Sequence, residues 1–145
     1  MKQLGLTVAA VVGWLLFAGC APKADVLVQA PFSSVLSPQE SVAVATFENH
    51  TQTPDAGKRA ASFATGVLRA QGYRVAANAR YVLRGEVNEW RYKVGVDGEP
   101  AVSVTLRLVD KATHRVRWSA VASGNGWSDA SLGTTAQRLF EETLR

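Results

Sequence analysis

From Leu4 to Phe17 the chain carries no charge, and this apolar run ends at Leu16-Phe17-Ala18-Gly19-Cys20. A lone cation, Lys2, stands ahead of it. A basic start, an apolar middle and small residues before a cut describe a secretory signal peptide, so residues 1–19 are set apart from the fold. The run is also shorter than the ~20 apolar residues that span a bilayer. Beyond Cys20, Pro22, Pro31 and Pro38 interrupt any helix over residues 20–40. Val26-Leu27-Val28, Phe32, Val35 and Leu36 keep this stretch apolar enough to pack. It reads as a tether that continues into an extended arm, not as a disordered spacer.

Regular periodicity begins at residue 41. Ser41–Phe47 is nearly all apolar, the pattern of a strand buried on both faces. Thr53-Pro54-Asp55 then predicts a helix start, with Thr53 as cap and Asp55 facing the positive helix end. Ala56, Ala60, Phe63, Ala64, Val67 and Leu68 recur at helical spacing, and Gly72 supplies a left-handed stop. Tyr73–Ala76 is a short returning strand and Tyr81–Val94 a longer one. The longer strand changes phase: Tyr81, Leu83, Gly85 and Val87 share a face, whereas Trp90, Tyr92 and Val94 have the opposite parity. A bulge near Asn88-Glu89 reconciles them, as does a strand whose far end serves another surface. Asp97-Gly98 marks a hairpin turn, followed by alternation through Val102–Leu108 and Val116–Ala122. Ser123–Trp127 reads as a loop, and Leu132, Ala136, Leu139, Phe140 and Leu144 as a closing amphipathic helix. The order β-α-β-β-β-β-α over residues 41–145 predicts one α+β domain. Its expected form is a two-layer sandwich of two main helices on a mostly antiparallel sheet.

The 145 residues carry 16 basic and 12 acidic side chains. Removing the leader leaves roughly 126 residues, enough for one core, and a net charge of about +3. The cations are scattered singly rather than gathered in a stripe, so a nucleic-acid partner is not expected. Cys20 is the single cysteine, so no disulfide braces the domain. Small Ala18 and Gly19 directly before it resemble the bacterial lipobox, although Phe17 stands where that pattern prefers Leu. The resemblance implies cleavage before Cys20 and attachment of lipid there, with acyl chains such as palmitate as the covalent group and no other cofactor. Ala21, not the Asp associated with inner-membrane retention, follows the cysteine, which favours the outer membrane. Each buried methylene contributes roughly 0.8 kcal/mol, so several chains anchor firmly where one is marginal.

Catalytic constellations are missing from the pattern. His50 and His114 sit in separate predicted turns without partners at metal-ligand spacing. Glu141-Glu142 reads as a solvated helix face, and Glu86, Asn88 and Glu89 as the polar side of a strand. No nucleophile elbow, zinc-protease helix or phosphate loop occurs. The chain therefore reads as a binding or assembly protein rather than an enzyme. Its aromatics carry more information. Trp127, between Gly126 and Ser128, lies outside any alternation and suits a membrane interface, with packing back onto its own core as the competing role. Trp90-Arg91-Tyr92-Lys93 interleaves rings and cations, which points either to a half-buried edge strand or to a subunit interface built on Trp90, Arg91 and Tyr92.

Three stretches together resemble the PelC family, lipoproteins of the Pel exopolysaccharide export system. They are Phe47-Glu48-Asn49-His50-Thr51, the segment Gly85–Pro100, and Trp118-Ser119 followed by Ser123–Ser128. The strand–helix opening is shared more broadly with CsgG and LpoB lipoproteins. The resemblance implies an outer-membrane lipoprotein whose copies form a homo-oligomeric ring on the periplasmic side. It also implies a β-barrel porin partner (PelB-like), a cationic exopolysaccharide guided by acidic groups, and bilayer contact by Trp127. Asp97 and Glu99 at the hairpin tip are the candidate polymer-facing acids. With a basic chain, an acidic funnel requires the cations to lie at subunit contacts or toward the membrane. The runner-up is an LpoB-like activator of a periplasmic penicillin-binding protein, which needs a longer tether than the fewer than about two dozen residues available at ~3.5 Å each. A glycan hydrolase, which needs paired carboxylates in a cleft, ranks last.

Overall fold

In a computed structural model, residues 24–95, 98–127 and 129–145 are described. The leader, Cys20 and Asp97 lie outside them. Strands β1 (Ala24–Val28), β2 (Ser41–Val44), β3 (Glu48–Asn49), β4 (Arg74–Val75), β5 (Tyr81–Tyr92), β6 (Pro100–Asp110) and β7 (Arg115–Asn125) form one sheet. Their order is β1-β7-β6-β5-β2-β4, with β3 also beside β5. Helices α1 (Ala56–Ala70) and α2 (Leu132–Thr143) lie on one face over the principal core. The long ladders β1–β7, β7–β6 and β6–β5 are antiparallel. The short ones made by β2, β3 and β4 are parallel, because the α1 crossover returns the chain in its original direction. This is the α+β sandwich read from the periodicity, enlarged by β1 and β3.

The phase change in β5 is a bulge. Its register against β6 shifts between Val87 and Glu89, so Trp90 returns to the face of Leu83 and Val87. The apolar strand expected over residues 41–47 ends at Val44. Val42 enters the main core and Ala43 joins Val82 and Ala79 in a smaller cluster on the other face. The chain then kinks at Phe47, whose ring packs 6.2 Å from that of Phe140 on α2.

Helix α1 begins differently from the expected cap. Asp55 holds the N-cap position in the left-handed region at φ 59 and gives no side-chain cap. Thr53 donates its hydroxyl to the carbonyl of Trp90 at 2.6 Å instead, tying the helix entry to the bulged strand. At the other end Gly72 takes φ 90, with Gly72 N bonded to Arg69 O and Tyr73 N to Leu68 O. These are the two bonds of a Schellman stop.

The arm is part of the domain rather than a separate tether. Phe32 and Leu36 are completely buried, and Phe32 meets Trp118 and Tyr73 edge-on at 5.0 and 5.5 Å. Trp118 Nε1 donates to Ala30 O at 2.9 Å, and Tyr73 Oη to Leu36 O at 3.0 Å. Burial of a ring such as Phe32 contributes about 1.5–3 kcal/mol. The domain expected to begin at residue 41 therefore includes the arm from Ala24 onward.

Candidate functional site: one end of the sheet

Strand direction gathers the candidate residues. β5 and β7 finish at the end of the sheet where β6 and β1 begin, since the antiparallel meander reverses at each turn. In the β1–β7 register Ala24 lies opposite Gly124, three residues before Trp127. Cys20 is four peptide steps ahead of Ala24, a reach of ~14 Å at most. The start of β1, the described flanks of the 93–99 turn and the Trp127 loop thus belong to the same end of the molecule.

The Trp127 loop is fastened at its base. Gly126 N donates to Pro100 O at 2.9 Å, and Ala130 N to Trp127 O at 2.9 Å. A Cβ on Gly126 would lie 2.5 Å from Thr135 Oγ1 and 2.7 Å from Pro100 Cγ, so only glycine lets the loop approach this closely. With its base held, Trp127 remains 49% exposed instead of folding back onto the core. Val94 in the neighbouring hairpin is 97% exposed and Tyr92 51%. Leu132 N donates to Tyr92 Oη at 3.4 Å, which sets the Tyr92 ring against the start of α2. Three exposed apolar or aromatic side chains thus share the end where β1 begins.

The tripeptide read as an interface divides. Trp90 is buried, with its ring 6.1 Å from Phe63 of α1, so it is a core residue and not an exposed contact. The bulge decides this by restoring its inward phase. Trp90 Nε1 has no hydrogen-bond partner among the described residues. Arg91 lies exposed on the opposite face, paired with Glu89 at 2.9 Å. Glu99 sits at the hairpin base with its carboxylate 3.7 Å from Lys93 Nζ and its carbonyl accepting from Lys93 N at 2.7 Å. Its negative charge is therefore partly offset at this end.

On the open face of the sheet Arg107 donates to Glu86 at 2.6 Å, and this hydrogen bond holds the Glu86 carboxyl below its ordinary range. His50 Nε2 lies 3.5 Å from Glu48 and 3.9 Å from Glu86. Sequence reading left this cluster as separate turn and strand residues, since only the β3–β5 pairing brings His50 to Glu86. No group of three or more potential metal ligands occurs among the described residues. None of the described helices is long and apolar enough to cross a membrane.

The architecture matches a PelC dodecamer from Paraburkholderia phytofirmans. That protein is 41% identical, superposes with a TM-score of 0.76, and the alignment covers 84% of this chain and 95% of that one. The chain belongs to the PelC family. A substituted form of the same Paraburkholderia PelC dodecamer agrees, at 44% identity, a TM-score of 0.75 and the same coverage. A lipoprotein from Neisseria meningitidis shares the fold alone, at 19% identity and a TM-score of 0.55 over 66% of this chain and 91% of that one. No protein-family model and no curated protein matches the chain. Within the PelC match, β1, the bulged β5 and the Trp127 loop are the features that organise the exposed end.

Proposed function

We propose that this PelC-family chain is a non-enzymatic, lipid-anchored subunit of Pel-type exopolysaccharide export. It stands on the periplasmic face of the outer membrane through lipid on Cys20, assembles with copies of itself into a ring, and directs a cationic polymer to an outer-membrane porin. The Ala24–Gly124 pairing carries the reading, because it sets exposed Trp127 beside the start of β1, four residues after the proposed lipid-bearing Cys20. An indole with an apolar body and a polar tip suits the lipid–water boundary that such an anchor imposes. The dodecameric state of the Paraburkholderia protein supports the assembly. Asp97 and Glu99 are the acids we assign to the polymer, Glu99 sharing its charge with Lys93. The penicillin-binding-protein activator reading loses ground, since incorporation of residues 24–40 into the domain leaves too little tether to reach inward.

The deciding experiment combines fractionation with mass. The wild-type chain is expected in the outer membrane and, after mild detergent extraction, at the mass of a homo-oligomer. Cys20→Ser should move it to the periplasm and stop polymer secretion by a strain that lacks its own copy. A monomeric extract, or secretion indifferent to Cys20→Ser, overturns the reading.

A further inference from the structure

Both helices lie on one side of the sheet, so the other side is open. Leu27 and Val121 face each other there across the β1–β7 register, 77% and 49% exposed. With Ala24, Asp25, Val26 and Ser123 they line a shallow cleft of about 490 Å³. On the opposite layer a groove of about 270 Å³ runs between α1 and α2. Phe63 and Val67 contribute its apolar surface, Gly66 its open centre, and Gln137 and Glu141 its other wall. A Cβ on Gly66 would meet nothing within 4 Å. A low ridge of two projecting apolar side chains, Leu27 and Val121, with Asp25 beside them, and a partly apolar groove therefore occupy opposite faces of one subunit.

A ring of identical copies needs a head-to-tail contact, in which two different patches of each subunit meet. A patch that pairs with itself stops at two copies. We propose that the Leu27–Val121 ridge of one copy seats in the α1–α2 groove of the next; this rests on the homo-oligomer reading above. Charge agrees with the direction. Arg115 and Arg117 at the start of β7 have no carboxylate partner among the described residues, nor have Glu141 and Glu142 at the end of α2 a basic one. β7 starts, and α2 ends, at the end of the molecule remote from Ala24 and Tyr92. Copies standing on one membrane share an orientation, so a sheet-to-helix contact brings these opposite charges to a similar height.

The test uses the full-length lipidated chain in its membrane, where Cys20 carries the only native thiol and that thiol is acylated. Leu27→Cys and Gly66→Cys are combined and treated with a short bis-maleimide. The expected result is a ladder of covalent species extending past the dimer, with neither single variant cross-linking. Absence of the ladder in a sample whose extracted mass stays oligomeric overturns this interface and leaves the homo-oligomer reading standing. Dimers formed by Leu27→Cys alone show a sheet-to-sheet contact and also overturn it. A monomeric parent chain overturns both readings.

Discussion

Two glycines of α1 are expected to answer the same substitution with opposite signs. Gly66 lies in the helix interior with open space where a Cβ would point. Alanine is favoured over glycine in such a position by about 0.8–1 kcal/mol, so Gly66→Ala should stabilise by that amount. Gly57 has the same helical preference but faces backbone. Its Cβ would overlap the carbonyl oxygen of Phe47 and lie 3.0 Å from the carbonyl carbon. Carbon atoms in ordinary contact sit about 3.5–4.0 Å apart and the carbonyl oxygen is closer still, so α1 must retreat by roughly 1 Å or more. Ala56, Ala60 and Ala64 are completely buried on that side, and retreat loosens all three. Overpacking typically costs about 1–3 kcal/mol; less the helical gain, Gly57→Ala should destabilise by up to about 2 kcal/mol. At this chain length 1 kcal/mol moves Tm by roughly 4 °C. Thermal unfolding followed by circular dichroism reads both variants. Protein concentration and oligomeric species are held constant, because assembly makes Tm concentration-dependent. A rise in Tm for Gly57→Ala, or equal shifts for the pair, would refute the close-approach reasoning.

Two further outcomes probe the arm and the buried ion pair. Phe32→Ala removes a completely buried ring and should cost about 3–5 kcal/mol, with amide exchange in Val26–Val28 accelerating as the arm loosens; unchanged exchange there would show that the arm is held by β1 pairing alone. Asp110 accepts two hydrogen bonds from Arg80, at 3.0 and 2.7 Å, and one from Ala112 N, and the Arg80 guanidinium foremost holds its carboxyl well below the usual range. A folded-state value below the unfolded one means the stabilisation is complete above the unfolded value near 4 and fades as pH falls toward the folded value. Asp110→Asn should therefore lower stability at neutral pH and flatten its decline between about pH 4 and pH 2; identical acid slopes in denaturant titrations would count against the pair.

Local periodicity made much of the fold legible. The helix stripes, the Gly72 stop, the β5–β6–β7 meander and the bulge at Asn88-Glu89 all follow from residue spacing. Thr53 misled because a hydroxyl can serve any nearby acceptor, and the Trp90 carbonyl 37 residues away competes successfully with the helix amides. Trp90 misled in a different way. Its parity signals an outward ring, but one inserted residue returns it to the core, and parity does not reveal which of two surfaces a bulge serves.

By itself the sequence determined the single cysteine, the α+β order and the family resemblance, because these rest on composition and short-range pattern. Which residues share an end depended on strand pairing across nearly a hundred positions. Ala24 meets Gly124, and the arm becomes an edge strand instead of a spacer, only because β1 finds a free edge on β7 and Phe32 a pocket between Trp118 and Tyr73. The same pairing leaves Leu27 and Val121 bare on the sheet face that the helices do not cover. Hydrogen bonding and packing at such separations are properties of the folded chain, and they bring the start of β1 and Trp127 together at one end.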